Sequence, residues 1–113
     1  MMYYDLCIVT TTFFGLYGTV SDSGYRKRLF LEEVDSLSKM DKSGLRIIWL
    51  IHDDASPEFP DICVAGIDLF VVRSREKLGY ASAISLAISR AVKFAPIVFS
   101  LDSDGLIAKD CLP

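Results

Sequence analysis

The sequence predicts an α/β fold in which a mostly parallel sheet carries helices on both faces. Four short apolar runs are continuous rather than alternating, which is typical of strands covered on both sides. These runs span residues 6–11, 45–51, 69–72 and 97–101. Helical periodicity appears between the first and second runs and again between the third and fourth. Such alternation of strands and helices implies right-handed crossovers and a parallel sheet.

Two segments carry the helical period. The first has an apolar face made of Leu29, Phe30, Val34, Leu37 and Met40, and Gly44 marks its exit. The second carries a narrow stripe of mostly small side chains, made of Ala83, Ile84, Ala87, Ile88, Ala91 and Val92. Because most of these side chains are small, the second helix can lie close to the sheet.

Composition limits the classes of function. The 113 residues suffice for a single domain, 1–113, with one hydrophobic core. The net charge is only −3 and the basic residues form no stripe with interleaved aromatic residues, so no nucleic-acid partner is expected. Cys7, Cys63 and Cys111 are widely spaced and odd in number, which favours reduced thiols over disulfides or a zinc site.

The sequence also predicts no transmembrane segment. None of its apolar stretches reaches the roughly 18 residues that a membrane span requires. The amino terminus has no positive charge ahead of its first apolar run, unlike a secretory signal. We therefore expect a cytoplasmic protein.

Polar residues collect where the predicted strands end. In chain order these are Thr11 and Thr12, then Asp53 and Asp54, then residues 73–77, then Asp102 and Asp104. In open α/β sheets, ligands bind beyond the carboxyl ends of the strands, where the strand order reverses. The sequence therefore predicts one binding crevice at this edge of the sheet.

Asp102 and Asp104 directly follow the last apolar run. In an extended segment, residues two apart face the same way, so the two carboxylates share one side. Such a pair repels itself unless a cation lies between, and Mg²⁺ or Mn²⁺ binds carboxylate oxygens and commonly bridges them to phosphates. We interpret the pair as a divalent metal site, with a solvated acidic turn as the alternative.

The acidic pair Asp53 and Asp54 has two interpretations that are compatible. Carboxylates at a strand end can accept hydrogen bonds from a base N–H or from ribose hydroxyls. Alternatively, Ser56 caps a short helix that begins at Pro57. We assign no role to the neighbouring His52, the chain's single histidine.

Gly79 stands at the entrance of the second predicted helix. A glycine there lets backbone N–H groups approach a phosphate, which the helix dipole also favours. Arg73, Arg75 and Lys77 add positive charge for a diphosphate. A solvated charged loop explains these three residues about as well.

Four segments taken together carry a recognisable pattern. They read CIVTTTF at 7–13, IWLIHDDAS at 48–56, EKLGYASA at 76–83 and FSLDSD at 99–104. The pattern resembles the amino-terminal half of family 2 glycosyltransferases of the GT-A fold, in which the corresponding motifs read like VIPTYN, DDGS, NxG and DxD. This resemblance covers nearly the whole chain. It implies a Rossmann-like GT-A half-domain of about four strands in the order 3-2-1-4.

The resemblance also implies an activity. The domain would bind a nucleoside diphosphate sugar, a UDP-sugar first, with Mn²⁺ or Mg²⁺, for inverting glycosyl transfer to an unknown acceptor. The alternative is a module of the same ancestry that is not catalytic and binds a nucleotide sugar or a protein partner.

Site residues follow from the resemblance by position. Thr11, Thr12 and Phe13 would border the base, and either Asp53 or Asp54 would contact base or ribose. Lys77 and Gly79 would complete the nucleotide-binding set. Asp102 would reach the ribose and share the metal with Asp104, which would also face the diphosphate.

The chain departs from the family pattern at four positions. Phe14 replaces the usual polar residue of the first motif, Ala55 the glycine of the second, Lys77 the asparagine of the third, and Ser85 a later asparagine. Family members also continue well beyond the DxD motif, where they carry the acceptor site and the catalytic base, and no base can be named here. Because the strand 97–101 would then be an uncovered apolar edge, we expect a homo-oligomer.

Overall fold

The computed structural model describes residues 2–14 and 22–102, with side chains described from residue 26 onward in the second range. In chain order its elements are β1 (Leu6–Thr12), α1 (Asp22–Lys39), β2 (Ile47–Asp53), β3 (Ile67–Arg73), α2 (Tyr80–Ala91) and β4 (Ile97–Ser100). The four strands form one parallel sheet in the order β3-β2-β1-β4. The predicted fold class and strand order are confirmed.

Each face of the central strands packs against its own helix. Successive strand residues point to opposite sides, so alternate residues of a strand contribute to the two faces. On the α1 face, the buried residues include Phe30, Val34 and Leu37 of the helix and Leu6, Ile8, Trp49 and Ile51 of the sheet. On the α2 face they include Ala87 and Ala91 of the helix and Cys7, Val9, Ile48 and Leu50 of the sheet. The prediction of helices on both faces is confirmed.

The alanine stripe of α2 explains how closely this helix packs. Ala83, Ala87 and Ala91 are buried, whereas Ile88 and Val92 lie on the exposed side. A buried alanine adds little thickness between helix and sheet, so the backbone of α2 lies directly over β1 and β2. The start of α2 lies at the carboxyl edge of the sheet, because the helix follows the end of β3 after a short loop.

The outer strands differ from the prediction. β1 and β2 are buried along nearly their whole length, as continuous apolar runs predict. β3 and β4 are largely exposed, so the expectation that all four strands are covered on both faces is wrong for these two. In the described sheet each of them pairs with a single neighbour, and α2 lies over the centre instead.

Exposure at β4 bears on self-association. Ile97 is 61% exposed and Phe99 is 44% exposed. Both belong to an outer strand of the described sheet. The homo-oligomer expected through this strand stays a prediction.

The segment between β2 and β3 also differs from one of the two interpretations given above. Residues 54–64 contain no helix. Ser56 therefore caps no helix at Pro57, and that interpretation is wrong. The Ser56 hydroxyl instead donates to the carboxylate of Asp53, the last residue of β2.

Two of the three cysteines lie in the described part of the chain. Cys7 and Cys63 are free thiols, and burial raises the pKa of the Cys7 thiol to about 11, so this thiol is protonated at neutral pH. Cys111 lies outside the described residues. Among the described helices, none has the length and apolar character needed to cross a membrane.

Candidate functional site at the carboxyl edge of the sheet

Three polar residues meet where β1, β2 and β3 end. Thr12, Asp53 and Arg73 are register partners on adjacent parallel strands. Register partners of neighbouring strands point to the same face. The three side chains therefore lie side by side, with the carboxylate in the middle.

Asp53 is the centre of a buried hydrogen-bond network and has no exposed surface. Its Oδ1 accepts from the Thr12 hydroxyl at 2.8 Å and from the Ser56 hydroxyl at 2.6 Å. Its Oδ2 accepts from the Ser56 backbone N–H at 3.1 Å and from Arg73 Nε at 3.4 Å. Arg73 also donates to the Ser56 carbonyl at 2.7 Å. The network fastens the turn after β2 to the ends of both neighbouring strands.

Ala55 lies in this turn with a φ of +64°. Residues with a Cβ rarely adopt this left-handed backbone conformation, which costs them roughly 1–2 kcal/mol per residue. The resemblance described above implies glycine at this position, and glycine adopts the conformation without that cost. This chain forms the turn with alanine.

Replacing Ala55 with glycine should therefore raise the free energy of unfolding by about 1 kcal/mol, because the relief of left-handed strain exceeds the entropy that glycine adds to the unfolded chain. Urea denaturation measures the change. The matched control is Ala65→Gly, at an exposed turn position with no positive φ. That variant should lose stability, and equal losses in both variants would contradict the strain argument.

Asp54 is almost completely buried and faces the loop before α2. Its Oδ1 accepts from the Leu78 backbone N–H at 2.6 Å and from the Ser74 hydroxyl at 3.4 Å, and its Oδ2 accepts from the Gly79 N–H at 3.0 Å. The Asp54 N–H in turn donates to the Thr12 carbonyl at 2.8 Å. One residue thus joins the ends of β1 and β2 to the entrance of α2.

Gly79 is the residue that precedes α2, and its φ is +86°. A Cβ built there meets no atom within 4 Å. The glycine is therefore required by its backbone conformation, and the space beside it is open. The predicted contact between this helix entrance and a ligand phosphate stays a prediction.

The accessible part of the edge lies in front of these buried carboxylates. Thr11 and Phe13 are half-buried, and Lys77 is exposed. The Lys77 ammonium lies 3.6 Å from the centre of the Phe13 ring, a cation–π contact. This contact joins the residue that follows β1 to the loop before α2.

Phe14, by contrast, belongs to the core. Its ring packs against Phe30 and Phe59 at centroid distances of 5.5 and 6.0 Å. Its backbone N–H donates to the Ser56 hydroxyl at 2.7 Å. The Phe14 side chain therefore belongs to the cluster on the α1 face.

Asp102 is exposed and leaves the sheet at the same edge. The Leu101 N–H still donates to the Val9 carbonyl at 2.9 Å, so Asp102 emerges one residue beyond the ladder with β1. Only β1 separates β4 from β2, which places the two strands about 10 Å apart. Asp104 lies outside the described residues. Within the described part of the chain, no group of three or more His, Cys, Asp or Glu side chains could hold a metal ion.

His52 is a buried neighbour of the site that we assigned no role. It precedes the acidic pair in β2 and is 2% exposed. Neither ring nitrogen has a hydrogen-bond partner among the described residues. Burial lowers the pKa of His52 and the Arg90 guanidinium lowers it further, against the opposing effect of Asp54 and Asp53. The imidazole is therefore neutral at pH 7.

Sequence reasoning missed two hydroxyls of the site, those of Ser56 and Ser74, which contact the two carboxylates. Arg73 was expected to add positive charge for a diphosphate, and in the structure it donates to Asp53 and to the Ser56 carbonyl. Aligning the predicted strand ends at residues 51 and 72 would have placed Arg73 beside His52, one residue away from its observed register partner Asp53. No sequence signal indicates the two serine contacts.

Comparison with known proteins bears on the fold. No protein-family model matches the sequence, and no curated protein matches it. Among solved structures, the chain is similar to S. aureus TarS 1-349, with a TM-score of 0.68 and 17% sequence identity over 93% of this chain and 29% of that one. The chain therefore spans less than a third of that structure. TarS is a glycosyltransferase. At this identity the likeness is one of fold alone, and the fold is a Rossmann-like α/β fold.

Proposed function

We propose that this chain binds a nucleoside diphosphate sugar, a UDP-sugar first, at the carboxyl edge of its sheet and serves in glycosyl transfer. The observation that carries the proposal is the convergence of Thr11, Phe13, Lys77 and Asp102 on that edge. The glycosyltransferase-like fold supports it. Open α/β sheets bind ligands where the strand order reverses, which in this sheet is beside β1.

The accessible side chains at the edge suit the parts of such a ligand. The Phe13 ring offers an aromatic surface beside the hydroxyl of Thr11, where the resemblance puts the base. The Lys77 ammonium supplies positive charge for a diphosphate. Thr12, Asp53 and Asp54 lie behind these groups and are buried.

In this proposal a divalent cation binds the carboxylates that follow β4. Mg²⁺ is commonly held by one or two carboxylates together with substrate phosphates and water. Asp102 is exposed at the carboxyl edge of the sheet, and Asp104 is the second carboxylate in the proposal. Bound Mn²⁺ or Mg²⁺ would neutralise charge on the leaving diphosphate.

A second candidate function is nucleotide-sugar or protein binding without catalysis. Inverting transfer requires a general base within hydrogen-bond reach of the acceptor hydroxyl. The carboxylates of Asp53 and Asp54 already accept hydrogen bonds from other parts of the chain. Because these hydrogen bonds occupy both carboxylates, neither is free to act as that base. For a site formed by the described residues alone, this favours the second candidate.

Titration calorimetry with UDP and UDP-sugars, with and without Mn²⁺, tests the proposal. We expect binding that Mn²⁺ strengthens, and we expect Asp102→Asn to lower the affinity in Mn²⁺ by about tenfold, because one metal-binding carboxylate is lost. The matched control is Asp68→Asn, an exposed carboxylate at the opposite end of β3. It should leave the affinity unchanged.

Equal affinities with and without Mn²⁺ in the wild type, together with an unaffected Asp102→Asn variant, would contradict the metal assignment. No binding of any UDP compound would contradict the proposed function. Sugar-release assays then separate the two candidates, since binding without turnover supports the module that is not catalytic.

A further inference from the structure

The loop between β3 and α2 is held by a carboxylate from the turn after β2. The Leu78 and Gly79 N–H groups are consecutive along the backbone, and both donate to Asp54, at 2.6 and 3.0 Å. Asp54 lies 24 and 25 residues earlier in the chain. This contact therefore fixes tertiary structure rather than a local turn.

The chemistry of the contact requires a carboxylate. Two adjacent amide donors face two oxygens of one group, each oxygen accepting one backbone N–H. An ionised carboxylate is an acceptor at both atoms, whereas an asparagine amide would present NH₂ to one of the donors. Hydrogen bonds to an ionised acceptor are also stronger than neutral ones.

The first turn of α2 contains no acidic residue, and Gly79 provides no side-chain cap. A negative charge near a helix N-terminus is favourable because of the helix dipole. Asp54 supplies that charge from the position directly after β2, so its two amide contacts and its charge both stabilise the same entrance.

The loop held in this way carries Lys77 into the accessible part of the site. Lys77 directly precedes Leu78, whose N–H is fixed by Asp54. Its ammonium lies over the Phe13 ring at 3.6 Å. The position of the cation in front of the sheet thus depends on the carboxylate behind it.

We propose that Asp54 is a positioning residue: its carboxylate clamps the backbone at residues 78–79 and thereby holds Lys77 at the end of β1. Its effect on a nucleotide is then indirect, through Lys77, and independent of the base. The clamp itself stands on the geometry alone, whereas its consequence for ligand affinity rests on the proposed function.

Amide hydrogen exchange tests the clamp in the protein without ligand. In Asp54→Asn, exchange at Leu78 and Gly79 should accelerate by about tenfold or more, because charge-assisted hydrogen bonds are lost. Asp68→Asn, at the opposite edge of the sheet, should leave both amides unchanged. Wild-type amides that exchange as fast as unbonded exposed ones would overturn the proposal without recourse to any variant.

A panel of UDP, CDP and GDP tests the indirect role. Asp54→Asn should weaken all three by a similar factor, about three- to tenfold. Lys77→Ala should lower the three affinities by a similar factor. The double variant should bind no more weakly than the weaker-binding single variant, because Asp54 acts through Lys77 and the two effects are not additive. Selective loss of one base, or additive effects in the double variant, would overturn the indirect role.

The two proposals fail in different ways. If the wild type binds none of the nucleotides, the proposed function falls, yet the exchange rates at residues 78 and 79 still decide whether Asp54 is the clamp. If nucleotides bind and exchange in Asp54→Asn is unchanged, the clamp falls and the proposed function remains.

Discussion

Replacing Asp53 with alanine is expected to lower the free energy of unfolding by about 3 kcal/mol. Four hydrogen bonds end on this fully buried carboxylate. Alanine leaves the buried hydroxyls of Thr12 and Ser56 without this acceptor, and each such loss costs about 1 kcal/mol or more. The loss of the Arg73 ion pair adds less, because the Arg73 side chain is 45% exposed and solvent screens it. Urea denaturation measures the effect.

Asp35→Ala is the matched control, since it also removes a carboxylate from an ion pair. The Asp35–Lys39 pair is shorter than the Asp53–Arg73 pair, at 2.9 Å against 3.4 Å. Both of its side chains are exposed, however, and exposed pairs within a helix contribute only about 0.3–0.5 kcal/mol. Burial, not distance, therefore sets the expected order. Similar losses in the two variants would contradict the role given to the buried network.

The stability of the wild type should fall as the pH is lowered from 7 to 5. The pKa of His52 is lowered in the folded state by burial and by Arg90, so the unfolded chain binds a proton more readily than the folded one. Stability is then lost as the pH falls through the unfolded value of about 6.5, by at most about 1.4 kcal/mol per pH unit. Thermal unfolding across this pH range measures the slope.

His52→Leu removes the only histidine of the chain and should flatten the slope between pH 7 and 5. At pH 7 it should be at least as stable as the wild type. The ring nitrogens have no hydrogen-bond partner among the described residues, and exchanging a buried unpaired polar group for an apolar one of similar size gains roughly 1–2 kcal/mol. Parallel pH profiles of the two proteins would show that another group causes the acid loss.

Much of the fold was predictable because its two central strands are apolar throughout. The runs at 6–11 and 45–51 correspond to β1 and β2, and the alanine stripe corresponds to the buried side of α2. Strand ends were placed less well. β2 and β3 continue through Asp53 and Arg73, because backbone pairing extends as far as the buried network and does not stop where the side chains become polar.

The candidate site was predictable as a place but not as a set of contacts. Polar residues at strand ends identified the edge, since parallel strands bring their carboxyl ends together. Apolar periodicity contains no information on which donors a carboxylate meets. Asp53 and Asp54 share a pattern in the sequence, yet one faces Thr12 and Arg73 and the other faces the backbone of residues 78–79, because adjacent positions point to opposite faces of the sheet.

A crystal structure of the protein with UDP and Mn²⁺ tests the central claim most directly. The account predicts that the nucleotide lies across the ends of β1 and β2, in front of Phe13 and Lys77, with the metal ion between the diphosphate and Asp102. A nucleotide bound elsewhere on the molecule, or a metal ion remote from Asp102, would contradict it.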